Sequence, residues 1–397
     1  MNDWIFKEWE KMQRSPLLRQ LMVTDRNSPE TIINGKRKIL AASNNYLGLA
    51  TDERVITKAK EALDRFGTGS GGSRLTTGNL PIHEQLEREL ARFKQTEACL
   101  LYSSGFLANL GVISGLSDKE TIIFSDELNH ASIIDACRLS KAKVVVYSHN
   151  DMQDLEEKLI DYRTHSKKII VTDGAFSMDG DIAKLDVLHF LKEKYNALLI
   201  IDDAHATGVI GENGRGTADF YQVDVDVTVG TLSKALGSEG GFVCAKQEII
   251  KFLIQKSRPF IFQTALAPAS VAAALMSVDI IQTEPQRQRR LLAIGLKLRK
   301  ALSSFGYTIP DGHTPIIPII IGEPDDTVRF QKALDEQDIF IPAIRPPTVP
   351  KHTSRLRCTL MATHTDEHIH TIIHSFKKKA SKKNGFKSTF INRRKNT

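Results

Sequence analysis

Cysteine is scarce and scattered. Its four positions, Cys99, Cys137, Cys244 and Cys358, form no CxxC pair, which argues against a disulfide framework and against a structural zinc site. They read as small buried apolar residues. Long apolar runs are missing too, since none approaches the roughly 18 residues that a membrane-spanning helix needs. The opening segment, Met1 to Ser15, carries charges where a signal peptide needs an apolar core. A cytoplasmic protein with no membrane partner is expected. Acidic residues are absent from one place: Lys377 to Thr397 holds nine Lys or Arg and no Asp or Glu, so the formal +7 becomes −2 once this tail is set aside. The basic excess is a tail property, read as a solvated, disordered end, and nucleic acid is not expected as a partner. No internal repeat is visible.

What is present is a chain of 397 residues, 41% hydrophobic, long enough for one large domain with smaller appendages. Between about residues 95 and 245, short apolar runs alternate with segments of helical period. The runs are Thr121 to Phe124, Val144 to Tyr147, Ile169 to Thr172, Leu198 to Ile201 and Val225 to Val229. Met152 to Tyr162 and Leu185 to Tyr195 space their apolar residues as helices do. This pattern predicts an α/β fold with a large, doubly wound, mainly parallel sheet covered on both faces. Ligands then sit beyond the carboxyl ends of the strands. Residues 1–48 form an arm with one amphipathic helix and a hairpin turning at Asn34-Gly35. Residues 49–285 make the large domain, 286–379 a smaller α+β C-terminal domain, and 380–397 the basic tail. The smaller domain is expected to hold a long charged helix, a strand from Ile316 to Ile321, a helix from Asp325 to Gln337, and short strands around 339–343 and 356–360.

The strand ending at Ile201 runs into Asp202-Asp203-Ala204-His205, so carboxylates stand at its carboxyl end. Taken alone, these could equally cap a helix or bind a metal. Some thirty residues on, an apolar run ends in Thr231-Leu232-Ser233-Lys234 and a glycine-rich turn. A crowded or buried lysine loses proton affinity and becomes a nucleophile toward carbonyls, so Schiff-base formation is its use. Lysine and carboxylate together suit pyridoxal 5'-phosphate, whose ring nitrogen keeps its proton beside a carboxylate. Asp202 fits that position and Asp203 is the second choice. His205 would hold the phenolic oxygen. Tyr102-Ser103-Ser104-Gly105-Phe106 precedes a helical stretch whose first amides make an anion site for the phosphate, joined by the Thr231 and Ser233 hydroxyls. His130, after the strand at 121–124, is either a plain helix-start residue or a ring that stacks on the cofactor and bonds the reacting group.

In this order, and with Gly67 to Gly78 and Thr172 to Gly180, these segments resemble the α-oxoamine synthases, fold type I pyridoxal-phosphate enzymes that join an amino acid to an acyl thioester with loss of carbon dioxide. The likeness runs from about Asn2 to Lys379. It implies Lys234 as the Schiff-base lysine and general base, Asp202 as the ring-nitrogen partner, and His130 as the stacking residue that also contacts substrate. Ser104, Gly105, Phe106, Ser177, His205, Thr231 and Ser233 become cofactor contacts. Arg357 becomes the clamp for the amino-acid carboxylate, with Arg355 its rival, because period-2 alternation puts both on one strand face. Ala343 to Pro350, containing Thr348 as a substrate contact, and Ser354 to Arg357 most resemble members that condense L-alanine with pimeloyl-CoA or pimeloyl carrier protein on the way to biotin. Members using glycine and acetyl-CoA are the alternative. Arg19 matches the family's acyl-substrate arginine and would pair with the distal carboxylate of pimelate. The family further implies a homodimer in which Gly67 to Gly78 reaches the partner's cofactor.

Overall fold

A computed structural model describes residues 3–13, 18 and 21–383. Thirteen strands are present among them: β1 Glu30–Ile33, β2 Lys36–Leu40, β3 Ala98–Tyr102, β4 Ile122–Asp126, β5 Lys143–Tyr147, β6 Lys168–Asp173, β7 Leu198–Asp202, β8 Val227–Thr231, β9 Gly241–Ala245, β10 Ile316–Gly322, β11 Ile339–Phe340, β12 Ala343–Ile344 and β13 Ser354–Thr359. Seven of these form the central sheet in the order β3-β9-β8-β7-β6-β4-β5. All its pairings are parallel except those of β9, which runs antiparallel to both β3 and β8. The five apolar runs read as strands are β4 to β8, shifted by one or two residues at their ends.

Near-continuous apolar sequence in these strands follows from burial on both faces. In β6 and β7, Ile169, Val171 and Ile200 face one way, against the helices Gly105–Leu116 and Ala131–Leu139. Ile170, Leu199 and Ile201 face the other, against Met152–Asp161 and Leu185–Tyr195. Each fully buried Leu or Ile side chain stabilises by about 1.5–3 kcal/mol, so this two-sided core fixes strand order and register. The register matters because it aligns the polar strand ends. Asp173 of β6 pairs across from Asp202 of β7, and Asp202 across from Val229 of β8.

The hairpin of β1 and β2 turns at Asn34-Gly35, with φ of 49° and 79°, the left-handed pair that a two-residue turn demands. Its sheet is completed by β11 from the C-terminal part of the chain, so the two ends of the sequence are tied together. β10, β12 and β13 form a separate antiparallel sheet, and Pro285–Ser304 is the long charged helix. All four cysteines are buried and free. Among the described residues, no helix is long and apolar enough to cross a membrane.

The last helix, Asp366–Lys383, continues four residues past the expected start of the tail. Ala380 packs on the large core cluster and holds that turn down. Residues 384–397 lie outside the described part. Deleting 384–397 should leave melting temperature and turnover unchanged, because the like-charged segment offers little apolar surface to bury. A drop in melting temperature on that deletion would show that the tail docks on the body.

Candidate active site

The carboxyl ends of β3, β4, β6, β7 and β8 gather the side chains singled out from sequence. Asp202, buried at the end of β7, accepts from Asn109 Nδ2 at 2.6 Å and from the Ala204 amide at 2.9 Å. Two donors therefore fix the plane of its carboxylate. Asp203 points elsewhere: it accepts from buried Lys94 at 2.9 Å and from the Thr217 hydroxyl at 2.6 Å, and is consumed by that network.

Lys234 follows β8 by three residues, in the turn that brings β9 back. Desolvation pulls its pKa from the ordinary lysine value down to about 8, with Arg357 acting the same way and Asp202 and Asp173 opposing. Such an amine exchanges its proton near neutral pH, which an exposed lysine does not do. His205 is buried, and desolvation, with Lys234, Arg357 and His130 adding to it, holds its pKa well below the ordinary range. The ring is neutral. Tyr46 Oη lies 2.7 Å from His205 Nδ1, and burial pushes the Tyr46 pKa up to about 12, so that hydroxyl keeps its proton. Asn44 Oδ1, 3.2 Å from Tyr46 Oη, already faces both Arg357 terminal nitrogens at 3.4 Å each. With the Tyr46 proton turned to Nδ1, the shorter of its two contacts, rather than to Asn44 Oδ1, the histidine's own proton stands on Nε2.

Ser104 caps the helix Gly105–Leu116 by accepting from Leu107 N at 3.1 Å. The Gly105 and Phe106 amides precede the first intrahelical bond, from Ala108 N to Ser104 O, and remain as donors at the positive end of the helix dipole. No side chain fits at Gly105 without crowding Thr231, whose Cβ would lie 3.1 Å from a Cβ there. At Gly241 a Cβ would meet Ser104 O at 2.3 Å. The helix start is therefore pressed onto the β8 end, where the Thr231 and Ser233 hydroxyls lie 2.8 Å apart. His130 caps the helix Ala131–Leu139, its Nδ1 2.7 Å from Ser132 Oγ, and the edge-on Phe106 ring stands 6.3 Å away.

The two arginines separate in space. Arg355 is paired with the Asp179 carboxylate and donates to Met178 O at 3.1 Å. Arg357 donates to Ser177 O at 2.6 Å and to Asn44 Oδ1, and no carboxylate among the described residues pairs with it. Thr348 sits in an exposed turn whose amide donates to Arg345 O, and among the described residues no hydrogen bond ties its side chain to the cluster. Arg19 lies outside the described residues.

A family model described as aminotransferase class I and II matches residues 36–376. The chain belongs to that family. It is 52% identical over 381 residues to the 8-amino-7-oxononanoate synthase of Lysinibacillus sphaericus, spanning 95% of this chain and 98% of that one. It is 48% identical over 377 residues to 8-amino-7-oxononanoate synthase 2 of Bacillus subtilis strain 168, spanning 95% and 97%. Among solved structures, Sphingomonas wittichii serine palmitoyltransferase superposes with a TM-score of 0.90 at 34% identity, covering 97% of this chain and 98% of that one. An 8-amino-7-oxononanoate synthase from Francisella tularensis gives 0.76 at 29% identity, covering 87% and 99%. This class I and II aminotransferase fold is the fold type I architecture, and pyridoxal 5'-phosphate is its cofactor. The residues present fit it: amides and hydroxyls for a phosphate, a carboxylate for a cationic ring nitrogen, an N–H for a phenolate and a low-pKa amine for the aldehyde.

Sequence reasoning missed Tyr46, Asn44 and Asp173. Asp173 accepts from the His130 amide at 2.6 Å, and burial beside Asp202 raises its pKa well above the usual carboxylate range. Asn109, in the helical stretch after Phe106, was given no role. Its position four residues into a helix whose start faces the site was the available signal.

Proposed function

We propose that this chain condenses L-alanine with a pimeloyl thioester, carried by coenzyme A or a carrier protein, releasing the thiol and carbon dioxide and giving 8-amino-7-oxononanoate for biotin synthesis. The observation that carries this reading is identity of 52% to a synthase of that name over 95% of the chain, together with the Lys234, Asp202 and His205 cluster. The higher superposition on a serine palmitoyltransferase reports backbone, and backbone alone does not set substrate. Pyridoxal 5'-phosphate supplies an electron sink for the bonds at the amino acid's Cα.

The protein's part is position and proton traffic. Lys234 tethers the cofactor and, once displaced by the substrate amine, takes the Cα proton and later returns one, a task matched by a pKa of about 8. Asp202 keeps a proton on the ring nitrogen, and His205 Nε2–H bonds the phenolic oxygen. Gly105, Phe106, Ser104, Thr231 and Ser233 hold the phosphate. His130 covers one ring face and donates to the carboxylate or developing oxyanion, Ser177 adds a further cofactor contact, and Thr348 completes the substrate wall. Arg357 clamps the amino-acid carboxylate, since Arg355 is committed to Asp179. The enzyme works in the cytoplasm as a homodimer, with Gly67 to Gly78 reaching the partner's site. In support of this, Trp4, Ile5, Phe6, Trp9 and Met12 of the helix Asp3–Gln13 are exposed, as a face covered by a second copy would be.

The deciding experiment measures free thiol release with alanine or glycine against a panel of acyl-CoAs. Preference for glycine and acetyl-CoA would overturn the substrate assignment and leave the family unchanged. Arg19→Ala should weaken use of pimeloyl thioester about 10- to 150-fold while sparing acyl chains of similar length without the distal carboxylate, because a hydrogen bond to a charged group is worth about 1.5–3 kcal/mol. Equal losses for both donors would assign Arg19 to packing.

A further inference from the structure

We propose that His149 is a positioning residue that, clamped between two carboxylates, locks the 175–182 hairpin onto the large sheet and so sets where Arg357 stands over the site. His149 follows β5, and none of the roles assigned above uses it. Its Nδ1 lies 3.0 Å from Asp126 Oδ1 at the end of β4, and its Nε2 lies 2.9 Å from Asp181 Oδ2. A neutral imidazole has one N–H and would leave one of these contacts as two acceptors face to face. The ring is therefore an imidazolium. Burial lowers its pKa, but the bonds to Asp126 and Asp181 outweigh it and carry it to about 10.

The hairpin that Asp181 anchors closes through Phe176 N to Asp181 O at 3.0 Å and Gly180 N to Phe176 O at 2.9 Å. Phe176 turns its ring edge-on to His149 at 4.4 Å, so the clamp is packed as well as charged. Asn150 repeats the link, its amide donating to Asp126 Oδ2 at 3.0 Å and its side chain to Asp181 Oδ2 at 2.8 Å. The tip of the same hairpin grips the C-terminal domain at four successive residues: Ser177 O takes Arg357, Met178 O and Asp179 take Arg355, and Gly180 O takes Thr314 Oγ1 at 2.8 Å. Among the described residues, then, Arg357 is seated on a backbone oxygen whose own position is set from behind by His149. Without the imidazolium, Asp126 keeps the Leu128 and Asn150 amides, whereas Asp181 keeps only the Asn150 side chain. Its Oδ1 is already buried with no partner. Two carboxylates then share a site with no cation, and the hairpin is pushed off.

The proposal rests on the reading of Arg357 as the alanine clamp. It is tested on holoenzyme by titrating alanine and following the cofactor's visible absorbance, alongside a separate titration of the cofactor itself. His149→Leu should weaken alanine about 10- to 150-fold, the range for losing a hydrogen bond to a charged group, while cofactor affinity, to which Ser177 adds one contact among several, falls by much less. His149→Gln, which keeps one donor, should fall between and serves if the leucine variant fails to fold. Adding Asp181→Asn to His149→Leu should cost nothing further, because the pair acts as one unit. Alanine affinity unchanged in both His149 variants, a parallel fall in cofactor affinity, or independent losses in the double variant would each overturn the proposal. Failure of the wild type to bind alanine would instead overturn the substrate assignment.

Discussion

Lys234→Ala should hold pyridoxal phosphate only noncovalently and lose turnover by several orders of magnitude. Two proposed roles converge on one nitrogen. As the tether, Lys234 presents the cofactor already activated toward an incoming amine. As the base, it stands where the Cα proton leaves, with a pKa of about 8 that leaves a useful fraction neutral in ordinary buffer. Removing the side chain abolishes both roles, and Lys94, which also reaches the end of β7, is held by Asp203 and does not replace it. Stability should move the other way, because desolvation is the largest influence on that pKa and an ammonium held there costs free energy. The cofactor-free variant should therefore melt at the same temperature as the wild type or higher. Borohydride treatment should fix the cofactor to wild-type protein and leave the variant unlabelled. Thiol release by the variant at a rate near wild type would end the assignment of Lys234.

How much of this was legible beforehand depended on distance along the chain. The strand ends at Asp202 and Thr231 and the helix start at Gly105 are local features, carried by apolar runs that stop at polar or small residues, and they stand where the pattern placed them. The choice between Asp202 and Asp203 is not local. What favours Asp202 is Lys94, more than a hundred residues earlier, which takes Asp203 into a buried pair. Arg355 and Arg357 share one face of β13, as period-2 alternation requires, and only the hairpin near Asp179 tells them apart. Tyr46, Asn44 and His149 reach the site or its supports through turns that have no periodicity to read. That the last helix runs on to Lys383, into the segment read as a disordered tail, has a similar cause, a packing contact of Ala380 that composition does not reveal.

Asp202→Asn should lower turnover by about two to three orders of magnitude, the scale of losing one preorganised electrostatic partner. The substitution preserves size and leaves an oxygen for Asn109 or Ala204 to donate to, so the loss measures charge rather than packing. Without the carboxylate the ring nitrogen gives up its proton and the electron sink weakens. A second readout follows from the same charge. Asp202 raises the pKa of Lys234 and of His130, so its neutralisation should shift Lys234 further below about 8. In the cofactor-free protein, the pH dependence of Lys234 modification by an amine reagent should therefore move to lower pH. Asp203→Asn is the control. It breaks a pair whose side chains are 3% and 1% exposed, so its cost should fall on stability, at about 3–5 kcal/mol, with that pH dependence unmoved. Turnover near wild type in Asp202→Asn, combined with a large loss in Asp203→Asn, would transfer the ring-nitrogen role to Asp203.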